Sequence, residues 1–112
     1  RIGVFCNHDN LFRQLDSVAQ STGELIWRMP LDDYYSKQIK SEAADLANTG
    51  GRLAGSITAA KFIEAFVGDN PWAHFDIAGL MAARSDSGIH IKGSSGVPTK
   101  SLIEYVSAKS TN

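Results

Sequence analysis

SITAAKFIEAFVGDNPWAHFDI, residues 56–77, sets two periodicities side by side and decides how the chain is read. In its first half Ala59, Phe62, Ile63, Phe66 and Val67 recur at i, i+3, i+4, i+7 and i+8, one apolar face of an α-helix. Ser56 offers a hydroxyl to cap that helix, and Gly68 stands in the position where a left-handed C-cap is favoured. The second half alternates: Ala73, Phe75 and Ile77 fall on one strand face, and Trp72, His74 and Asp76 on the other. Both strand faces carry groups that need cover, so the sheet calls for a layer on each side.

Working outward, Ile2–Cys6 is a short buried-strand candidate, and Asn7 and Asp9 are candidate N-caps for a helix carrying Leu11, Phe12, Leu15, Val18 and Ala19. Thr22-Gly23 stops that helix, and Glu24–Met29 forms a second extended segment ending at Pro30. Asp32 and Asp33 open a short helix that closes on Lys37 and Lys40, acids at the positive end of the dipole and bases at the negative. Ala43–Leu46 reads as a weak extended segment and residues 48–51 as a glycine turn. Residues 84–97 form a Ser- and Gly-rich loop, and Pro98 suits the first turn of a last helix through Leu102, Ile103 and Val106. Strands alternating with helices predict an α/β fold.

Bulk properties are those of one domain spanning 1–112. Eleven basic and twelve acidic residues give a formal charge of −1, which attracts neither nucleic acid nor an anionic membrane. Trp27, Trp72, Tyr34 and Tyr35 lack the basic stripe of a nucleic-acid platform and are expected in the core or an interface. No apolar run reaches the ~20 residues of a membrane span, and no leader is recognisable. The lone Cys6 allows no internal disulfide and fits a reducing, intracellular setting. Arg1 leads straight into an apolar run, as though the chain began inside an element.

Few residues suggest chemistry. His74 and Asp76 share a strand face and could form a metal pair or a dyad, although hydrogen-bonded support is the commoner role for such a pair. Cys6 and His8 could make a thiol hydrolase only in a geometry that a strand-to-helix turn seldom gives. Gly50-Gly51-Arg52 before a helix could cradle an anion or simply allow close packing, and it matches neither a P-loop nor a dinucleotide motif. Physics alone gives an α/β domain without a catalytic set.

Trp27-Arg28-Met29-Pro30-Leu31, Ala44-Asp45-Leu46-Ala47-Asn48, Gly50-Gly51-Arg52, the block from Ala54 to Ala60 with Phe62, and Trp72 to Gly79 stand in an order and spacing that resembles the leucyl aminopeptidase (cytosol aminopeptidase) family. Gly96, Pro98-Thr99 and Leu102-Ile103-Glu104 resemble its closing helix. Departures are small: Leu53 replaces a common Pro, Ser56 a common Ala, and Val97 a common Arg.

The resemblance implies the C-terminal portion of a three-layer α/β/α catalytic domain with a mixed central sheet, and a cytoplasmic homohexamer acting on peptides. It further implies two divalent metal ions, Zn or Mn, held by a lysine and acidic residues upstream. The family's acid-bearing signature Asn-Thr-Asp-Ala-Glu-Gly-Arg is not in this chain, and residues 48–52 echo only its ends. No catalytic residue and no metal ligand is therefore expected here, and the segment alone should be inactive. Ala78 and Met81 match positions lining the pocket for the substrate's first side chain. Ala78 also falls at the C-terminal end of a strand, where open α/β sheets place their sites. His74 and Asp76 are expected to support that strand end. The rival expectation is an independent, non-catalytic interaction module.

Overall fold

The computed structural model describes residues 1–87 and 91–110. Its axis is β1 (Ile2–Cys6), where Ile2, Val4, Phe5 and Cys6 are all buried. β1 pairs in parallel with β2 (Ile26–Arg28) and antiparallel with β3 (Ala73–Asp76), so the order is β2-β1-β3 and the sheet is mixed. The connections explain the directions. Helix α1 (Asp9–Thr22) returns the chain so that β2 starts again beside β1, as a parallel pair requires.

Register assigns the faces, with Val4 opposite Phe75 and Phe5 opposite His74. Ile2, Val4, Cys6 and Ile26 pack on Leu15 and Ala19 of α1, and Tyr105 of α3 (Thr99–Ser110) joins that side. On the opposite face Phe5 meets Ile57 and Ala60 of α2 (Gly55–Glu64), flanked by Met29, Tyr35 and Trp72. Helices thus cover both faces, which is the expected three-layer α/β/α arrangement. Burying one side chain such as Phe5 or Ile2 contributes roughly 1.5–3 kcal/mol, so β1 anchors both cores.

Several boundaries differ from the sequence reading. His8, not Asn7 or Asp9, caps α1: its Nδ1 accepts the Leu11 amide at 3.3 Å. Asn7 is occupied elsewhere, accepting the Trp72 amide at 2.8 Å and donating to the Asn70 carbonyl at 3.0 Å, and so fixes the entry to β3. Asp9 pairs with Arg28 at 2.6 Å, and that guanidinium holds the carboxyl below its ordinary pKa. Gly23, at φ 77°, ends α1 as anticipated. The stretch after Asp32 is a 3₁₀ helix, Asp33–Ile39. Ala43–Leu46 is not extended, because the Ala43 and Ala44 amides turn back onto Ser41 Oγ. Ser56 is not a cap, since α2 begins one residue earlier and Ala54 takes the cap position at φ 54°.

The larger correction concerns helix faces. The Ala59/Ile63/Phe66 stripe faces outward, with Phe66 73% exposed, while Ile57 and Ala60 pack against Phe5 of the sheet and Thr58 and Lys61 are also buried. The buried face mixes Ile57 and Ala60 with Thr58 and Lys61, so the more apolar stripe in the sequence is not the one that turns inward. Likewise Leu102, Ile103 and Val106 of α3 point away from the core, Val106 at 63% exposure, and the buried residue is Ser101. The 84–97 stretch contributes β5 (Gly93–Ser94), which pairs as a two-stranded ribbon with β4 (Ala82–Ala83) just before it; positions 88–90 lie outside the described residues.

Ser101 is buried for a reason. Its amide donates to Glu24 Oε2 at 2.8 Å and its hydroxyl shares a hydrogen bond of 2.8 Å with Thr22 Oγ1. A buried carboxylate from the α1–β2 junction therefore satisfies one of the orphan amides at the start of α3. Glu24→Ala in the protein carrying this chain should lower unfolding stability by about 1–3 kcal/mol, because the amide loses its acceptor. Glu24→Gln should cost less, and an unchanged denaturant midpoint for Glu24→Ala would refute the joint.

Lys61 reaches from α2 to Asp33 at 3.0 Å and to Glu64 at 2.5 Å, with its side chain only 6% exposed. Burial pushes its pKa down, but the Glu64 and Asp33 carboxylates outweigh it, so the net direction is above 10.5. A group raised in the fold contributes stability that is complete below its unfolded value and is lost as pH rises through the folded one. The stability difference between the native protein and Lys61→Met should be flat near neutrality and fall as pH climbs past 10.5. Denaturant titrations across that range check the sign; a difference growing with alkalinity would contradict it.

Candidate functional site

The chain leaving β3 makes a short 3₁₀ turn, Ala78–Leu80, and the ribbon β4–β5 follows at once. Asp76 builds the turn: its Oδ1 accepts the Ala78 amide at 3.2 Å, and the Leu80 amide returns to the Ile77 carbonyl at 2.8 Å. Ser95 then ties the turn down from the other side of the ribbon. Its amide donates to the Met81 carbonyl at 2.9 Å and its hydroxyl to the Leu80 carbonyl. The result is a fixed backbone presenting Ala78 and Met81, both exposed, Met81 at 60%.

His74 and Asp76 do different jobs on their shared face. The half-buried His74 ring stacks on Trp72 at 6.2 Å and 19° and lies 6.0 Å from Phe5, a packing position at the edge of the α2-side core. Asp76 serves the turn. The expected link between Ala78 and the carboxyl ends of an open sheet needs revision, however. β3 runs antiparallel to β1, with Asp76 opposite Gly3, so the turn lies beside the amino end of β1. It is therefore the reversed direction of β3 that sets its place.

Two cavities meet at this turn. A space of about 290 Å³ lies among Gly3, Phe5, Trp27, Met29 and Asp76. Gly3 has no side chain, and Met29 occupies the room that a Cβ would need. A larger cleft of about 700 Å³ opens beside Ile2, Leu25, Leu80 and Val97. Gly79, Leu80 and Arg1 border both.

The other candidates resolve into structure. Cys6 is buried and its Sγ lies 3.3 Å from the His8 carbonyl, while the His8 ring is engaged as a helix cap, so thiol and imidazole form no pair. Gly50 is a close-packing glycine: a Cβ there would come within 2.5 Å of Thr58 Cγ2. Tyr35 and Trp72 belong to the second core, whereas Trp27 and Tyr34 are exposed. Among the described residues no three His, Cys, Asp or Glu gather into a group able to hold a metal ion. Nor is any described helix long and apolar enough to cross a membrane.

The model of the cytosol aminopeptidase family, catalytic domain, matches residues 1–103. This chain belongs to that family. It is 45% identical over 104 residues to a probable cytosol aminopeptidase of Koribacter versatilis (strain Ellin345), covering 93% of this chain and 20% of the relative. It is 49% identical over 111 residues to one from Rhodopseudomonas palustris (strain TIE-1), covering 96% and 22%. Solved members share the fold. A tomato leucine aminopeptidase variant superposes with a TM-score of 0.84 at 35% identity, covering 94% of this chain and 20% of that one. The Coxiella burnetii cytosol aminopeptidase gives 0.84 at 34%, covering 96% and 24%. A bottromycin maturation enzyme, BotP, in complex with Mn, gives 0.86 at 30%, covering 97% and 24%. The chain thus spans about a fifth of the length of the curated relatives it matches.

The sequence reading passed over Ser95, which sits in a Ser/Gly-rich stretch with no periodic signal; only its tertiary hydrogen bonds single it out. Asp76→Ala frees the Ala78 amide and should loosen the turn, speeding hydrogen exchange at the Ala78 and Leu80 amides about tenfold in the protein carrying this chain. Asp76→Asn keeps an acceptor and should leave exchange near the native rate. Unchanged exchange in Asp76→Ala would contradict the role of Asp76 in the turn.

Proposed function

We propose that this chain is part of a two-metal aminopeptidase that hydrolyses the N-terminal peptide bond of peptides beginning with a leucine-like residue. The family match across residues 1–103 carries the reading. Within it, the chain supplies scaffold and one wall of the pocket for the first side chain, formed by Ala78 and Met81. A methyl group and a flexible thioether make an apolar surface that adapts to a branched aliphatic side chain. Asp76, Ser95 and the stacked His74 hold that wall in place.

The described residues do not fit a pair of divalent ions, and the proposal puts the Zn or Mn ions on residues outside this chain, with no step through them assigned here. The Mn in the BotP complex supports divalent-metal use. Bound metals would supply an activated water and a polarised peptide carbonyl. A cytoplasmic homohexamer is part of the same proposal, and the outward apolar stripes on α2 and α3 are surfaces that further protein would cover. Those stripes also weigh against an independent module.

The full-length protein should hydrolyse leucine p-nitroanilide, lose activity with chelator and regain it with Mn²⁺ or Zn²⁺. Ala78→Phe should lower kcat/KM for the leucyl substrate about 10–100-fold, chiefly through KM, and spare a glycyl substrate. Equal losses on both would contradict the wall assignment, and activity indifferent to chelation would contradict the metal reading.

A further inference from the structure

The cleft of about 700 Å³ beside the turn lies within the ~300–1,000 Å³ span of small-ligand sites. Its floor is apolar, with Leu25, Leu80 and Val97, while Arg1, Arg84 and Lys100 stand in its lining. Among the described residues Glu24 is the one acid lining it, and that carboxylate is already committed to the Ser101 amide. Asp86, near in sequence, accepts the Lys92 amide at 2.7 Å and does not line the cleft. Among the described residues neither Arg84 nor Lys100 has a carboxylate partner. A chain of formal charge −1 therefore concentrates positive charge at one apolar cleft, an arrangement complementary to an anion with an apolar body.

Position narrows the ligand. Gly79, Leu80 and Ala82 line this cleft, and Ala78 and Met81, the proposed wall for the substrate's first side chain, are their immediate neighbours in the chain. Extended peptide advances about 3.3–3.6 Å per residue, so the end of a tripeptide lies roughly 10 Å from its beginning. We infer that this cleft takes the C-terminal carboxylate of a short peptide substrate, with Arg84 and Lys100 as its cationic partners and the apolar floor beneath the preceding side chain. This rests on the aminopeptidase reading above. It would make the enzyme favour short free-acid peptides over amidated ones of the same sequence.

The test uses the full-length enzyme and three substrates: a leucyl tripeptide acid, the same tripeptide as its amide, and leucine p-nitroanilide. The native enzyme should favour the acid over the amide by roughly tenfold in kcat/KM, about what one charge-assisted hydrogen bond contributes. Arg84→Ala with Lys100→Ala should bring that ratio to near one through KM on the acid, and Arg84→Lys should keep part of it. Turnover of the nitroanilide, which has no carboxylate, reports whether each variant is folded. Acid and amide cleaved equally by the native enzyme, or a preference surviving in the double variant, overturns the inference while the aminopeptidase reading stands. No turnover of any substrate by the native enzyme overturns that reading and this inference with it.

Discussion

Everything described depends on one strand being buried from both sides. β1 has hydrogen-bonding neighbours on each edge and side chains covered on each face. A short apolar run such as Ile2–Cys6 can be satisfied only between two helical layers. Once α1 and α3 take one face and α2 the other, the antiparallel pairing of β3 is left to position the turn at its end. Phe5, packed under the His74 ring and against α2, links that pairing to the second core. The place of the candidate site is thus a consequence of strand direction: the reversed β3 carries Ala78 and Met81 to the amino end of β1.

How much of this was readable in the sequence depended on whether the signal was local. β1, α1 with its Leu15/Ala19 stripe, the Gly23 stop and the two-faced β3 all came from periodicity and a glycine, and the structure has them. What escaped was tertiary. The inner face of α2 includes Thr58 and Lys61 and so looks the less apolar one in the sequence, and it is the place of Phe5 that turns Ile57 and Ala60 inward. Ser101 reads as an unremarkable polar residue until Glu24 and Thr22 meet it from 77 and 79 residues away. Asn7 was a plausible cap on local grounds and is instead a long-range strut to β3. Family membership was carried by blocks of residues that physics alone left as scaffold, and Asp76 and Ser95 acquire their role only from the turn they tie.

The same structure explains why so little chemistry is visible. The chain extends over 48 × 39 × 18 Å with a radius of gyration of 15.8 Å, more open than the ~13 Å of a compact 100-residue domain. Apolar residues on α2 and α3 face outward from that flat body, and the candidate substrate wall is itself exposed. A surface of this kind does its work when other parts of the protein close over it. On the proposed function, this chain shapes and orients, while the groups that activate water lie elsewhere.

The most direct measurement is leucine p-nitroanilide hydrolysis in Mn²⁺ by the 112-residue chain alone, set beside the full-length protein at equal concentration. The account gives activity in the full-length protein and none above the metal-only background in the isolated chain. Clear turnover by the isolated chain would show that its own residues assemble a catalytic centre, and would contradict it.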